Sequence, residues 1–548
     1  MAEREMRCAS QPLPARRLNE PDVSLAWQLT AIVLFATVAC SMRMSSITAQ
    51  PVFGSPDIKR VSVATHYLRY ALGNVLVMAA GFVSFPIMTR LLDTGQYGMF
   101  GYFDAWLLIL AGLFKLGAQH TILRFYPHAG GVTALARFGA NFVLLPFVAS
   151  VLLWMLALAA YAVIVMRTGA EESRIGWVML LLLLPTIWIS FAGAFAFAEE
   201  RSDISVRISV AQRWLDTFSI LLIVYFIERS AFGAYLARLL VAVFFALGLA
   251  YWLRSQLPMQ WRDADRTRYA EGLRYGLPLV ANEIATNLLS FADRLMLRQM
   301  LGNFAAVGIY TIGFGLALNI NNLFNFALYN AYTQVSIREY ETRGAEAVLR
   351  TKRVVLHMLV YVTVAMVVGL LSVGPDVLLL MAGDDKSASA MVFVIVGITY
   401  TLDGLFGICG AGLLLMKRSN TVLLLTLAAA GLNVLLNLIW IPAFGVMGSV
   451  YASAASIAAL NVLRYLTCPP AFRALPDLRA VATAVGLGTG CIAIAEASEL
   501  GGLHSHFARL AAMALVMLLG YVLPAFAIDR RLREAATTYL RRHGRVAR

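Results

Sequence analysis

The sequence predicts an all-α, polytopic membrane protein of about fourteen transmembrane helices. We expect two six-helix lobes in a pseudo-twofold arrangement, followed by two C-terminal helices. Three observations predict this fold class. Hydrophobic residues make up 60% and charged residues 14% of the 548 residues, and the mean hydropathy is +0.72. Apolar runs of about 20 residues, the length that crosses a bilayer, recur along the chain. Two short sequence patterns return after roughly 210 residues, as expected for an internal repeat.

The composition and motifs exclude several classes of function. A net charge of +14 would suggest nucleic-acid binding in a soluble protein, but basic cytoplasmic loops account for it in a membrane protein. The five cysteines have no CxxC or metal-ligand spacing and the seven histidines form no cluster, so we expect no metal and no cofactor. No GxxxxGK[ST] phosphate loop is present, and no loop is long enough for a soluble catalytic domain. We therefore expect a protein that is not an enzyme.

The apolar runs between charged loops define fourteen spans after residue 60. They lie near residues 65–89, 98–119, 138–165, 175–198, 206–227, 231–253, 275–297, 304–333, 354–380, 389–416, 421–441, 446–467, 480–496 and 508–527. This pattern divides the chain into four parts. They are an N-terminal extension (1–60), an N-lobe with spans one to six (61–255), a C-lobe with spans seven to twelve (256–470), and a segment with the last two spans and a basic tail (471–548).

The distribution of Lys and Arg among the loops predicts the orientation. The even-numbered loops carry about nineteen basic residues and the odd-numbered loops about seven, and the tail "DRRLREAATTYLRRHGRVAR" lies on the even side. Basic loops stay in the cytoplasm, so the even loops and the C-terminal tail are predicted to be cytoplasmic. The first 60 residues fit less well, because "LAWQLTAIVLFATVACSM" (25–42) is barely long enough to span. We interpret them as an extension that does not cross, translated upstream of a start at Met44.

Two pairs of similar segments indicate the repeat. "TRLLDTGQYGMFGYF" (89–103) resembles "LRQMLGNFAAVGIYTIGF" (297–314), which places Gly98 and Gly308 210 residues apart. "AFGAYLA" (231–237) resembles "AFGVMGSVYA" (443–452), which places Phe232 and Phe444 212 residues apart. Six spans separate the copies, so both copies insert with the same orientation. Two lobes related by an axis along the membrane normal, with a cavity between them, are the predicted result.

These segments also resemble the polysaccharide-biosynthesis flippases of the multidrug/oligosaccharidyl-lipid/polysaccharide exporter superfamily. The likeness extends through "KLGAQHTILRFYP" (115–127), "YGLPLVANEIATNLLSFADRLMLRQMLGNFAAVGIYTIGF" and "LNVLLNLIWIPAFGVMGSVYAS" (432–453), and covers about residues 62–470. It departs in the first 60 residues and in "NAYTQVSIREY", which lacks a proline that is often present in the family. The resemblance implies a flippase that moves an undecaprenyl-pyrophosphate-linked oligosaccharide to the outer leaflet of a bacterial inner membrane. It also implies a role in assembling a surface or extracellular polysaccharide, such as exopolysaccharide or lipopolysaccharide O-antigen.

Charged residues inside apolar spans are the candidate site residues, because an ion in a bilayer must face the bundle interior or a water-filled cavity. A pyrophosphate needs cations; the candidates are Lys115, Arg124, Arg213 and Arg294. Acidic groups could line the cavity or couple transport to an ion; these are Asp104, Asp216, Glu283, Asp293 and Asp403. Asparagines could line a sugar path; these are Asn319, Asn322, Asn433 and Asn437.

Each candidate also has a structural interpretation that the sequence leaves open. Asp293 and Arg294 could belong to an ion pair or hydrogen-bond network between helices, and the asparagines could simply hold helices together. Arg213 and Asp216 have the i, i+3 spacing that allows direct pairing. Asp104 and Lys115 lie about 16 Å apart along one helix face and need other partners. Arg69 and Arg238 could extend to the membrane interface.

Two other functions remain possible at this point. A multidrug exporter of the same superfamily would favour acidic residues, whereas the N-lobe here mixes both signs. A membrane polysaccharide polymerase or ligase would need a long outward loop, and the outward loops here are short. The expected partners are the lipid-linked oligosaccharide, membrane lipids, and a polysaccharide polymerase with its chain-length machinery. We expect no nucleic-acid partner.

Overall fold

A computed structural model describes residues 63–128, 131–168, 173–323, 327–413, 415–416, 418–498 and 505–534. Within these ranges every regular element is a helix, which confirms the predicted fold class. The interpretation of residues 1–60 lies outside the described residues, as does most of the basic tail.

Fourteen long helices follow one another in the described part of the chain, numbered here α1 to α14. They are α1 (Val63–Leu91), α2 (Thr94–Phe114), α3 (Val132–Arg167), α4 (Ser173–Ala198), α5 (Ser202–Phe226), α6 (Ala231–Gln256), α7 (Arg266–Leu301), α8 (Phe304–Asn321), α9 (Ala345–Ala382), α10 (Ala390–Cys409), α11 (Ser419–Phe444), α12 (Val446–Thr467), α13 (Leu478–Ala497) and α14 (His506–Ile528). Each one overlaps a predicted span. α7 and α9 begin earlier than predicted because their first turns are polar, and hydropathy does not detect such turns.

The eighth predicted span, residues 304–333, covers two described helices. α8 extends from Phe304 to Asn321, and a helix over Ala327–Arg343 comes next among the described residues. A second short helix, Ala118–Phe125, follows α2. Neither short helix is among the candidates for crossing a membrane.

Thirteen of the described helices are long and apolar enough to cross a membrane. α7 is the exception, although its 36 residues extend about 54 Å. Its apolar character is diluted by the charged and amide side chains that the sequence places along it. Many large apolar side chains point away from the protein on the other helices, such as Leu156, Phe244 and Leu424, each at least 64% exposed. A bilayer is the environment that such a surface requires.

Helix packing repeats with a shift of six helices. In the N-lobe α1 packs on α5, α4 on α6 and α5 on α6; in the C-lobe α7 packs on α11, α10 on α12 and α11 on α12. α2 and α8 pack on each other, as equivalent helices on either side of a twofold axis would. This is the pairing expected for two related six-helix units. Superposition of residues 65–253 on residues 275–467 stays a prediction.

The first pair of repeated segments has equivalent structural roles. Asp93 and Asn303, 210 residues apart, each cap the following helix, accepting hydrogen bonds from the N–H groups of Gln96 and Ala306. A Cβ atom on Gly98 would lie 1.9 Å from the Phe304 carbonyl oxygen, and one on Gly308 would lie 1.8 Å from the Thr94 carbonyl oxygen. Glycine at both positions lets the backbones of α2 and α8 touch.

The second pair of segments was aligned wrongly. Phe232 lies in the first turn of α6, whereas Phe444 is the last residue of α11. The equivalent residues are Gly233 and Gly448, each the third residue of its helix. A Cβ atom on either would collide with a carbonyl oxygen at the preceding turn, that of Glu228 or of Trp440. The two segments therefore have equivalent positions, but the correct alignment pairs Gly233 with Gly448 and not Phe232 with Phe444.

Candidate functional site between the two lobes

Lys115 is positioned by the end of α2. Leu116 and Gly117 have positive φ angles, 50° and 73°, which stop the helix and leave Lys115 as its C-cap. The Lys115 ammonium donates to Glu283 Oε1 of α7 at 2.7 Å, and Gln119 donates to Glu283 Oε2 at 2.7 Å. Two of the predicted site residues, one from each lobe, thus meet in a direct ion pair.

The same stretch of α2 lies close along α7. A Cβ atom on Gly117 would lie 2.7 Å from the Gly276 backbone, and the Asn287 amide donates to the Leu108 carbonyl oxygen at 3.2 Å. Gly112 faces Asn287 and Glu283 between these two points. We call this contact, residues 108–119 against 276–287, the α2–α7 seam. The sequence placed Lys115 and Glu283 in a cavity, and the structure places them in this seam.

A second interhelical pair lies further along α2. Arg238 of α6 donates to Asp104 Oδ1 at 2.7 Å, and its guanidinium lies over the rings of Phe100 and Tyr235. The expectation that Arg238 extends to the membrane interface is therefore wrong. The matching expectation for Arg69 concerns a side chain outside the described set.

Arg213 of α5 is different from these paired cations. Its side chain makes no hydrogen bond or ion pair with another described residue, so the direct pair with Asp216 that the spacing allows is absent within the described ranges. A Cβ atom on Gly81 of α1 would lie 3.6 Å from Arg213 Nη2 and 3.5 Å from Asn319 Oδ1 of α8. The Arg213 guanidinium and the Asn319 amide thus approach the same point from different lobes, next to a residue without a side chain.

Asp293 lies in a buried hydrogen-bond network inside the C-lobe. Its carboxylate is fully buried and accepts hydrogen bonds from Tyr310 of α8, Asn437 of α11 and Ser453 of α12. Asn433 bonds in turn to Ser453 and Asn437. Asn433 and Asn437 are themselves fully buried, so the expectation that they line a sugar path is wrong. They hold three helices together, which the sequence had left open as the alternative.

The Arg294 side chain is also enclosed and inaccessible to a substrate. It is 5% exposed, donates to the Ser290 carbonyl oxygen, and lies over the rings of Phe291, Tyr310 and Phe314. The aromatic faces balance its charge. A guanidinium enclosed in this way cannot meet a pyrophosphate, so Arg294 is wrong as a phosphate ligand in this conformation.

The remaining candidates are separate from the seam. Asp403 accepts a hydrogen bond from Asn461 at 2.8 Å and lies 3.7 Å from Arg464, beside a cavity of about 430 Å³ between α10 and α12. Arg124 is exposed at the end of the short helix Ala118–Phe125. Asn322 is half-buried at the end of α8. The described structure therefore gathers some of the predicted residues and separates others.

Sequence reasoning missed several residues of these networks. The missed residues are polar and lie within or next to apolar segments: Gln119, Arg464, Asn461 and Ser453. Their polarity in this setting was the sequence feature by which they could have been found. Within the described residues no group of three or more His, Cys, Asp or Glu side chains could hold a metal ion.

Comparisons with known proteins agree with this architecture. The family described as "Polysaccharide biosynthesis protein" matches residues 65–332. No curated protein sequence in the comparison matches the chain. Several solved structures share the fold, among them one flippase and two transporters. The "Lipid II flippase MurJ, inward closed conformation" has a TM-score of 0.67 and 13% identity, covering 86% of this chain and 99% of the other.

The other two structures are transporters. An inward-facing "multidrug resistance MATE family transporter of the MOP superfamily" has a TM-score of 0.58 and 16% identity, covering 73% of this chain and 96% of the other. A "MOP superfamily transporter from Pyrococcus furiosus" has a TM-score of 0.51 and 16% identity, covering 74% and 95%. Residues 65–332 of this chain thus match the polysaccharide biosynthesis protein family, and its helical bundle has the fold of these transporter structures.

Proposed function

We propose that this protein is a flippase for an undecaprenyl-pyrophosphate-linked oligosaccharide. It moves this lipid from the cytoplasmic to the outer leaflet of a bacterial inner membrane, where surface or extracellular polysaccharide is assembled. The family match and the fold shared with a lipid II flippase support a lipid-linked substrate. The polar groups between the lobes support a substrate with both charge and hydroxyl groups.

The observation that carries the proposal is the free guanidinium of Arg213 beside Asn319. A guanidinium binds phosphate with two parallel hydrogen bonds, and an amide can donate to and accept from sugar hydroxyls. A Cβ atom on Gly81 would be in ordinary van der Waals contact with both groups, so the glycine leaves that much room beside them. Arg213 is thus available to a pyrophosphate, whereas Arg238 is paired with Asp104.

Other residues have supporting roles in this proposal. Lys115 supplies a second positive charge once it leaves Glu283, and Arg124 attracts the phosphates at the protein surface. Asn319 and Asn322 contact the sugars. Asp216, which lies within electrostatic range of Arg213 and Arg238, keeps these guanidinium groups oriented. Asp403 remains a candidate for coupling to an ion.

The test is flipping of a fluorescent undecaprenyl-pyrophosphate-linked trisaccharide in proteoliposomes. Arg213→Ala should lower the flipping rate at least tenfold, because it removes a guanidinium that has no hydrogen bond or ion pair with another described residue. Arg254→Ala is the matched control, since Arg254 is exposed in the last turn of α6. This variant should flip the lipid at the parental rate. Flipping by Arg213→Ala at the parental rate would contradict the phosphate role.

A second experiment tests Lys115 in cells. Lys115→Ala should abolish surface glycan while protein level and membrane insertion stay normal, and Lys115→Arg should retain part of the activity because a positive charge remains. Normal glycan export by Lys115→Ala would remove Lys115 from the site.

A multidrug exporter is the second candidate, favoured by the MATE fold match and by the unpaired carboxylate of Asp216. Extrusion of an organic cation from the same proteoliposomes, lost in Asp216→Asn and kept in Arg213→Ala, would favour that function over the flippase.

A further inference from the structure

We propose that the Lys115–Glu283 pair is a latch between the lobes, opened when a phosphate-bearing substrate takes Lys115 away from Glu283. This inference rests on the proposed function. It identifies the step that lets the substrate enter the space between the lobes. It concerns how the α2–α7 seam opens.

The latch joins helices that belong to different lobes. Lys115 ends α2, and Glu283 lies near the middle of α7. The ion pair therefore has to break if the two helices separate at this point. Gly112, Gly117 and Gly276 make the seam so close that no substrate passes while it is shut.

The seam lies toward the side from which the substrate comes. The loop after α2 and the loop before α7 are both even-numbered, and the distribution of Lys and Arg predicts that both are cytoplasmic. Separation of residues 108–119 from 276–287 would thus open the space around Arg213 and Asn319 toward the cytoplasm.

The charges in the seam make it responsive to an anion. Glu283 has two donors, Lys115 and Gln119, and its side chain is 25% exposed. His120 lies next to this pair; burial lowers its pKa, Glu283 opposes this and Lys115 adds to it, so the imidazole stays neutral at pH 7 and brings no second positive charge. Lys115 thus has one carboxylate as its counterion.

A pyrophosphate competes well for this ammonium, because it offers more negative charge and more acceptor oxygens than one carboxylate. Once Lys115 turns to the phosphates, Glu283 keeps only the neutral Gln119. A partly buried carboxylate without its cation is costly, and hydration of Glu283 favours separation of the helices. Substrate binding and seam opening are coupled through one side chain.

The experiment measures the seam directly with spin labels. Cysteines replace Leu123 and Arg268, exposed residues beside the seam on the short helix and on α7, in a chain whose five native cysteines are changed to Ala. Distances between the labels are recorded in nanodiscs. The additions are inorganic pyrophosphate, undecaprenyl pyrophosphate, or sodium chloride at matched ionic strength.

The parent should show a short distance that lengthens with either pyrophosphate and not with sodium chloride. Glu283→Gln should show the long distance without pyrophosphate, with at least a threefold larger open fraction. Lys115→Gln should also open and should no longer respond. The exchange Lys115→Glu with Glu283→Lys should restore the short distance.

An unchanged distance distribution in Glu283→Gln would overturn the latch, as would equal opening by sodium chloride. Failure of the proposed function is distinguishable. If the distances behave as expected but proteoliposomes flip no lipid-linked oligosaccharide, the latch stands and the substrate is wrong. If flipping is normal while Glu283→Gln leaves the distances unchanged, the latch is wrong.

Discussion

Asp293 and Arg294 are neighbours in sequence, yet their charges are balanced in different ways. Asp293 receives hydrogen bonds from three helices, while Arg294 lies among three aromatic rings. Burying a carboxylate without such donors costs several kcal/mol. The polar residues that surround Asp293 are therefore part of what specifies how α7, α11 and α12 pack.

We expect Asn437→Leu to destabilise the C-lobe by about 2–3 kcal/mol, since it removes a donor from a buried charged group. Thermal unfolding in detergent would measure this as a lower Tm. Thr489→Val is the control, because Thr489 is exposed on α13 and bonds only within its own helix. Unfolding of Asn437→Leu at the parental temperature would show that Asp293 does not depend on this bond.

At the scale of elements, close helix contacts depend on glycine. α2 touches α8 at Gly98 and Gly308 near one end and touches α7 at Gly117 and Gly276 near the other. Backbones that approach this closely leave no space for a Cβ atom. α2 is thus held against both C-lobe helices that it faces.

Gly98→Ala should disrupt the α2–α8 contact, because its Cβ would lie 1.9 Å from a backbone oxygen that cannot move aside. Size-exclusion chromatography of a fluorescent fusion should show at least a twofold loss of folded protein. Gly248→Ala on α6 is the matched control, since no atom lies within 4 Å of its Cβ position and alanine favours helix. If both variants fold equally well, the contact is looser than described.

α14 is attached to α9 at both of its ends. At one end His506 lies 2.6 Å and Arg509 3.1 Å from Asp376. At the other end Tyr361 donates to Asp529 at 2.8 Å, and His357 lies 2.8 Å from the same carboxylate. These contacts explain why α14, which has no counterpart in the repeat, associates with the C-lobe.

The Asp529 contact predicts a pH dependence. Burial acts to raise the pKa of Asp529, but hydrogen bonds from Tyr361 and the Leu532 N–H, with the nearby His357, hold that pKa below its usual value. A lowered folded-state pKa means that the stabilisation is complete above the unfolded value of about 3.9 and is lost as the pH falls through the folded-state value.

The Tm difference between the parent and Asp529→Asn should therefore be constant from about pH 7 to pH 5 and shrink below about pH 4. Thermal unfolding in detergent across this range checks the sign. A difference that already shrinks between pH 7 and pH 6 would contradict the assignment to the Asp529 carboxylate.

At the scale of the whole molecule, the two lobes meet along polar contacts from α2 and aromatic and amide groups from α7 and α8. The recurrence of helix pairs six helices apart makes the lobes similar units, while the charges differ between them. The N-lobe holds the free Arg213, whereas Asp293 and Arg294 of the C-lobe are enclosed. A substrate with a charged end would thus bind asymmetrically.

The predicted orientation has a direct test. A green fluorescent protein fused after Arg548 should fluoresce, and alkaline phosphatase fused there should be inactive, because the basic tail stays in the cytoplasm. The opposite result for both fusions would reverse the direction in which the α2–α7 seam faces.

The sequence by itself determined the helices, because crossing a bilayer requires a long apolar run, and this property is local to each segment. It also located Gly98 and Gly308 of the first repeat, where the two helices make a close contact. Polar extensions such as the first turns of α7 were missed, because hydropathy measures only the apolar part of a helix.

Only the tertiary structure decided which charged residues are paired. Lys115 meets Glu283 168 residues away, Arg238 meets Asp104 134 residues away, and Asn437 meets Asp293 144 residues away. Spacing along one helix gives the face on which a side chain lies, but not the rotation or height of the neighbouring helix. Those quantities follow from the packing of all the helices together, and they separate the free guanidinium of Arg213 from the charges that hold the bundle closed.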